Sequence, residues 1–87
     1  MNDDKPLLAD GFDSAVLGLS RGSLGADVAV YSIDRCIDIL VKRDGMSEEE
    51  AIEFMNFNVL DAYMGPMTPI FVYEMDAAAI NEYADAV

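Results

Sequence analysis

The side chains in this chain that could do chemistry are almost all carboxylates, and the densest group is Glu48-Glu49-Glu50 with Glu53. Glu49 and Glu53 stand i, i+4, as two metal-binding carboxylates on a helix do. A magnesium site there would need ligands from a second helix, and Asp61 lies two turns on. The same run suits a helix N-terminus, where acids offset the positive end of the dipole. A solvated, dipole-compensating terminus is therefore the favoured reading. Asp44-Gly45 lacks the regularly spaced oxygen ligands that an EF-hand places ahead of its glycine.

Other groups are weighed in the same way. Ser20-Arg21-Gly22-Ser23-Leu24-Gly25 could cradle an anion with backbone donors and Arg21. It lacks the Gly-Lys-Ser/Thr ending of a Walker loop and sits between two strands, so a plain hairpin loop is favoured. Cys36 falls on an apolar helical face with no base at hand and reads as a packed, inert thiol. Asn56 and Asn58 flank Phe57, and Asn58 is read as bonding backbone at a helix end rather than recognising a ligand. Tyr63, Met64, Met67 and Phe71 could line a hydrophobic groove for an adaptable partner. A core role for most of them is favoured, since so small a core has few apolar residues to spare. No catalytic residue, cofactor or metal site is assigned, and enzymatic activity is not expected.

Composition narrows the classes further. Eighty-seven residues make one small domain, and 53 % apolar residues argue for a folded globule rather than an acidic disordered chain. A core of this size is marginal, which favours self-association as a source of further burial. Seventeen acids against Lys5, Arg21, Arg35, Lys42 and Arg43 give a net charge of −12. Direct binding to a nucleic-acid backbone or an anionic membrane is not expected of such a surface, while a cationic partner is allowed. One cysteine and no histidine exclude an internal disulfide, a Cys/His zinc cluster and a Ser-His-Asp or Cys-His unit. The N-terminus lacks the layout of a signal peptide, and no apolar run approaches ~18 residues. The reading is of a soluble, cytoplasmic protein.

The elements follow from caps and periodicity. Residues 1–9 are expected to be a flexible tail, and residues 10–87 a single α+β domain. Asp10-Gly11-Phe12-Asp13 reads as a turn that drops one ring into the core. Ser14–Ser20 and Asp27–Ser32 alternate as two strands of a hairpin, with Ala15, Leu17 and Leu19 on one face of the first. Ser32 can cap a helix whose Ile33, Cys36, Ile37, Leu40 and Val41 form an unbroken apolar stripe, with Ile39 off it. Gly45 stops that helix. Ser47 starts the next, with Glu50 completing a capping box.

In this second helix, expected to run to about Met64-Gly65-Pro66, Ala51, Ile52, Met55, Val59, Ala62 and Tyr63 share one side at 100° per residue. Phe54 and Phe57 land nearly opposite, among Glu50, Glu53 and Asp61. Either two layers sandwich the helix, or these outer rings meet another chain. Ile70–Glu74 reads as a third strand with Pro69 at its start, and Asp76 as the cap of a last helix. The order is β-β-α-α-β-α. The expected fold is α+β, a short antiparallel sheet covered by the two central helices, with a C-terminal helix that covers the other sheet face or swaps onto a neighbour.

Phe12-Asp13-Ser14-Ala15, Gly18, the Asp44-Gly45-Met46-Ser47 corner, Glu50-Ala51, Phe57-Asn58, Ala62-Tyr63, Gly65 and Thr68-Pro69-Ile70-Phe71 together resemble a family of small uncharacterised proteins of bacteriophage genomes. The resemblance covers about Phe12 to Val72, and the Phe-Asn…Ala-Tyr-x-Gly-x-x-Thr-Pro run is its most distinctive part. It implies a phage or prophage origin and a host-cytoplasm setting, and it assigns no site.

The functional expectation is a non-enzymatic protein–protein interaction module, a small accessory factor that binds a host or phage protein. Its candidate surface is Phe54, Phe57, Asp61, Glu50 and Glu53. A second reading is an acidic mimic of nucleic acid that blocks a DNA-binding host protein. A chain of this mass exposes on the order of 5,000 Å², or about one excess charge per 400 Å². B-DNA carries roughly one per 100 Å², so mimicry needs the acids gathered about fourfold along one stripe. A third reading is a minimal metal-dependent enzyme. A homo-oligomer is compatible with all three.

Overall fold

The computed structural model describes residues 5–21 and 27–86. The chain runs β1 (Val16–Ser20), β2 (Val28–Ser32), α1 (Ile33–Asp44), α2 (Glu48–Phe54), β3 (Ile70–Val72) and α3 (Ala77–Ala86). A 3-10 turn over Asp13–Ala15 precedes β1, and a π-turn over Met55–Val59 continues α2. The architecture is α+β. Its sheet has the order β1-β2-β3, with β1 antiparallel and β3 parallel to β2.

The sheet is thus mixed, not wholly antiparallel as expected. A parallel neighbour requires a long crossover, and residues 33–69, carrying both central helices, provide it. Ser14 and Ala15 belong to the 3-10 turn instead of the first strand. A register shift between Val16 and Gly18 bulges β1 at Leu17, while Leu19 pairs opposite Ala29 near the end of the strand. Leu17 and Leu19 are both exposed. The anion-cradle residues Gly22 to Gly25 lie outside the described residues, as do residues 1–4 of the expected tail.

The corner between the central helices forms from local interactions. The Ser32 hydroxyl accepts the Arg35 N–H at 3.1 Å and starts α1. Gly45 adopts φ 71°, a left-handed conformation that costs an L side chain about 1 kcal/mol or more. Its N–H and that of Met46 both donate to the Leu40 carbonyl. At Ser47 both halves of the capping box are present. The Glu50 N–H donates to the Ser47 hydroxyl at 3.1 Å, and the Ser47 N–H donates to the Glu50 carboxylate at 2.8 Å.

The core forms where this corner closes over one sheet face. Ala29 and Tyr31 of β2 meet Cys36 and Leu40 of α1, Ala51 and Met55 of the second helical segment, and Phe12 and Ala15. Fully burying side chains such as Leu40 and Met55 contributes about 1.5–3 kcal/mol each. Ile39 packs against this cluster too. The Tyr31 ring stacks on Phe71 of β3 with centroids 5.2 Å apart.

Two long-range clasps complete the fold. The Ser32 hydroxyl donates to Glu74 at 2.9 Å, and Glu74 pairs with Arg35 at 3.2 Å, tying the end of β3 to the start of α1. The Tyr31 hydroxyl accepts the Ala9 N–H at 2.7 Å, and the Leu7 N–H donates to the Met67 carbonyl at 3.2 Å. Leu7 and Ala9, within the tail expected over residues 1–9, are therefore held by partners remote in sequence. The Asp76 carboxylate caps α3 by accepting the Ala79 N–H at 2.8 Å. No residue of α3 is buried, so the helix does not cover the second sheet face within the chain.

Candidate functional site

The π-turn decides what α2 presents. Continued at about 100° per residue, Asn58 would lie about 60° to one side of Met55 and Val59 about 40° to the other. Both would then contend for the core edge, one of them an amide. Instead the Leu60 N–H donates to the Met55 carbonyl at 2.8 Å, an i→i−5 bond. The wider turn rotates less per residue. Val59 comes in beneath Met55 and packs against the core, while Asn58 swings into solvent. Such turns are common at functional sites.

This phase shift sorts the two rings. Phe54 is half-buried and packs against the core cluster, whereas Ile52 is exposed. The sequence expectation had them the other way round. It followed the apolar count of one face, whereas the core packs on the side that carries Phe54. Phe57 stands 80 % exposed, as its position opposite the core requires. The helix ends at Val59 rather than near Met64. Beyond it, Gly65 at φ 101° and Thr68 form a turn. The Thr68 hydroxyl donates to the Gly65 carbonyl and accepts the Met64 N–H, both at 2.7 Å, which fixes Met64.

Two depressions meet at the π-turn. The smaller, about 280 Å³, is lined by Met46, Glu50, Glu53, Phe54, Phe57 and Asn58. Four of the five candidate surface residues are thus brought together, and Asp61 is not among the lining. The larger is a groove of about 480 Å³. Leu7, Leu8, Phe12, Val59, Met64 and Phe71 supply its apolar lining. Phe54 and Asn58 line both depressions, making one continuous surface. The core role favoured for most of Tyr63, Met64, Met67 and Phe71 does not hold: none is in the buried cluster and only Phe71 packs against it, while Met64 and Phe71 line the groove and Tyr63 and Met67 do not. Leu7, Leu8 and Phe12 were not expected there. Their signal was two adjacent leucines in an otherwise polar leader.

Neither depression is lined by Lys or Arg, while Asp10, Glu50 and Glu53 border them. Arg35, Lys42 and Arg43 are engaged elsewhere. Arg43 donates to the Gly11 carbonyl at 2.7 Å, lies over the Phe12 ring at 5.7 Å and pairs with Asp44 at 2.9 Å. Its hydrogen bond to Asp44 holds that carboxyl below the usual carboxylate range. Lys42 pairs with Asp38 at 3.2 Å. Burial pushes the Cys36 thiol up to about 11, so it stays protonated and unreactive near neutral pH.

Among the described residues, no three or more His, Cys, Asp or Glu side chains converge as metal ligands would, and no helix is long and apolar enough to cross a membrane. The chain matches no protein-family model, no curated protein and no solved structure.

Proposed function

We propose that this chain is a non-enzymatic protein-interaction module whose groove takes an apolar segment flanked by basic residues. One observation carries the reading. A groove of about 480 Å³ with mainly apolar walls and Asp10 in its lining adjoins, through Phe54 and Asn58, the depression that holds Glu50, Glu53 and the exposed Phe57 ring, and no base lines either. An apolar anchor would bury against Leu8, Phe54 and Met64. Lysines or arginines beside it would face Asp10, Glu50 and Glu53, speeding encounter and selecting the partner. With the resemblance to bacteriophage proteins, the partner is a host or phage protein of the host cytoplasm.

Mimicry of nucleic acid is the weaker reading. Twelve net charges on 6316 Å² average about one per 530 Å², against roughly one per 100 Å² on B-DNA taken as a ~20 Å cylinder. The acids would have to be gathered about fivefold. Among the described residues no converging ligand set supports a metal-dependent enzyme.

The test is comparative capture from host cells with tagged wild type, Phe57→Asp and Met64→Asp, each shown folded by circular dichroism. Expected is a bound chain that both variants retain at least tenfold less and that 0.5 M salt releases. The same chain held equally by all three proteins would remove the groove from consideration.

A further inference from the structure

The edge of the sheet away from β3 is open. In the order β1-β2-β3, β1 is bonded to β2 on one side and is an edge on the other. Among the described residues, no backbone hydrogen bond reaches Leu17 to Ser20 from outside the β1–β2 ladder. Alternate N–H and C=O groups along the strand therefore face outward. Natural edges are guarded by charge, proline, a covering segment or a bulge. Among the described residues only the bulge at Leu17 is present. No acid, base or proline stands anywhere from Ser14 to Ser20, and Leu17, Gly18 and Leu19 are exposed in succession. Leu17 is 42 % exposed and Leu19 61 %.

The two ends of this uncharged strand carry opposite charges. Arg21 follows Ser20 directly, and Asp13 opens the 3-10 turn ahead of Val16. Both residues are exposed, and neither takes part in an ion pair among the described residues.

We propose that β1 pairs antiparallel with β1 of a second copy of this chain, joining two three-stranded sheets into one of six strands. Pairing about Gly18, the middle residue of the strand, sets Leu17 of each copy opposite Leu19 of the other. Two leucine pairs then form across the joined edges. Arg21 falls opposite Ala15, at the end of the other copy's 3-10 turn. Asp13 stands two residues back, about 4 Å at the rise of such a turn, within reach of a guanidinium. A twofold axis makes the match twice. This charge pattern selects the occupant. A foreign strand has to bring its own acid at the right spacing, whereas a second copy carries base and acid in register. A basic segment of the kind proposed for the groove meets no acid from Ser14 to Ser20. No β1 residue lines the groove, so the two surfaces are separate.

Sedimentation equilibrium of the full chain between 5 and 500 μM, in 0.15 M NaCl, tests this. The Debye length there is about 8 Å, which screens the repulsion between two chains of charge −12. The expected mass rises with concentration from 9.5 kDa toward about 19 kDa, twice the chain mass. Leu19→Lys and Arg21→Glu are each expected to weaken association at least tenfold. Combining Arg21→Glu with Asp13→Arg is expected to restore it. All three positions are exposed, so circular dichroism of the monomers is expected to match wild type. Amide exchange within Gly18 to Ser20, followed by NMR, is expected to slow as concentration rises. A 9.5 kDa monomer throughout the range, a dimer that either single variant leaves intact, a charge swap that restores nothing, or β1 amides indifferent to concentration overturns the proposal.

Discussion

Removing one oxygen atom tests whether the wall of the groove is anchored as the structure shows. Tyr31 is fully buried, its ring stacks on Phe71, and its hydroxyl accepts the Ala9 N–H at 2.7 Å. Tyr31→Phe keeps the stack and the volume but leaves that N–H without its acceptor. The expected cost is about 1–2 kcal/mol, the range for a partly buried donor left unpaired. In a domain of this size each kcal/mol moves Tm by about 4–8 °C, so a fall of roughly 5–15 °C is expected. The local signature is sharper. Amide exchange at Ala9 is expected to accelerate by about tenfold, and exchange at Leu7, bonded to the Met67 carbonyl, to rise with it. Residues in α1 are expected to change only by the global loss. The assay is thermal unfolding together with hydrogen exchange followed by NMR. An unchanged Tm with Ala9 still protected would refute the anchor and return residues 5–9 to the status of a tail.

Four further outcomes follow from the corner, the thiol and the charge. Gly45→Ala meets no atom within 4 Å of the added carbon, so the expected loss, about 1 kcal/mol by urea unfolding, is purely the strain of φ 71°. Ser47→Ala is expected to cost about 1 kcal/mol through the lost cap. Cys36 has a folded pKa near 11 against 9.0 free. Its stabilisation is therefore whole below pH 9 and is lost as pH rises from 9 to 11, by on the order of 2–3 kcal/mol. The difference between wild type and Cys36→Ala, measured against pH, is expected to be flat to pH 9 and to narrow above it. Raising NaCl from 10 mM to 0.5 M is expected to raise Tm, because the 12 excess negative charges repel. A fall would mean that attractive pairs dominate.

Much of the local structure could be read directly. The stripe of α1, the Gly45 stop, the Ser47–Glu50 box and the Asp76 cap all appeared where residue type and spacing placed them. Each depends on interactions within five residues. The candidate surface was legible in part. Periodicity marked Phe57 as unable to reach the core, and it is the most exposed of the large apolar side chains in the described chain. It misplaced Phe54 and Ile52, because an amphipathic count gives the width of an apolar stripe but not the direction from which its neighbours arrive.

What the chain determined by itself is therefore a set of element boundaries and one tight corner, since caps, a left-handed glycine and helical spacing act over a single turn. Only the tertiary structure decided that β3 runs parallel to β2, that α2 relaxes into a π-turn so that Val59 displaces Asn58, and that Leu7 and Leu8 wall a groove. Those outcomes rest on partners far apart in the chain, Ala9 with Tyr31 across 22 residues and Ser32 with Glu74 across 42. Their free energy exists only once the core has brought both ends together.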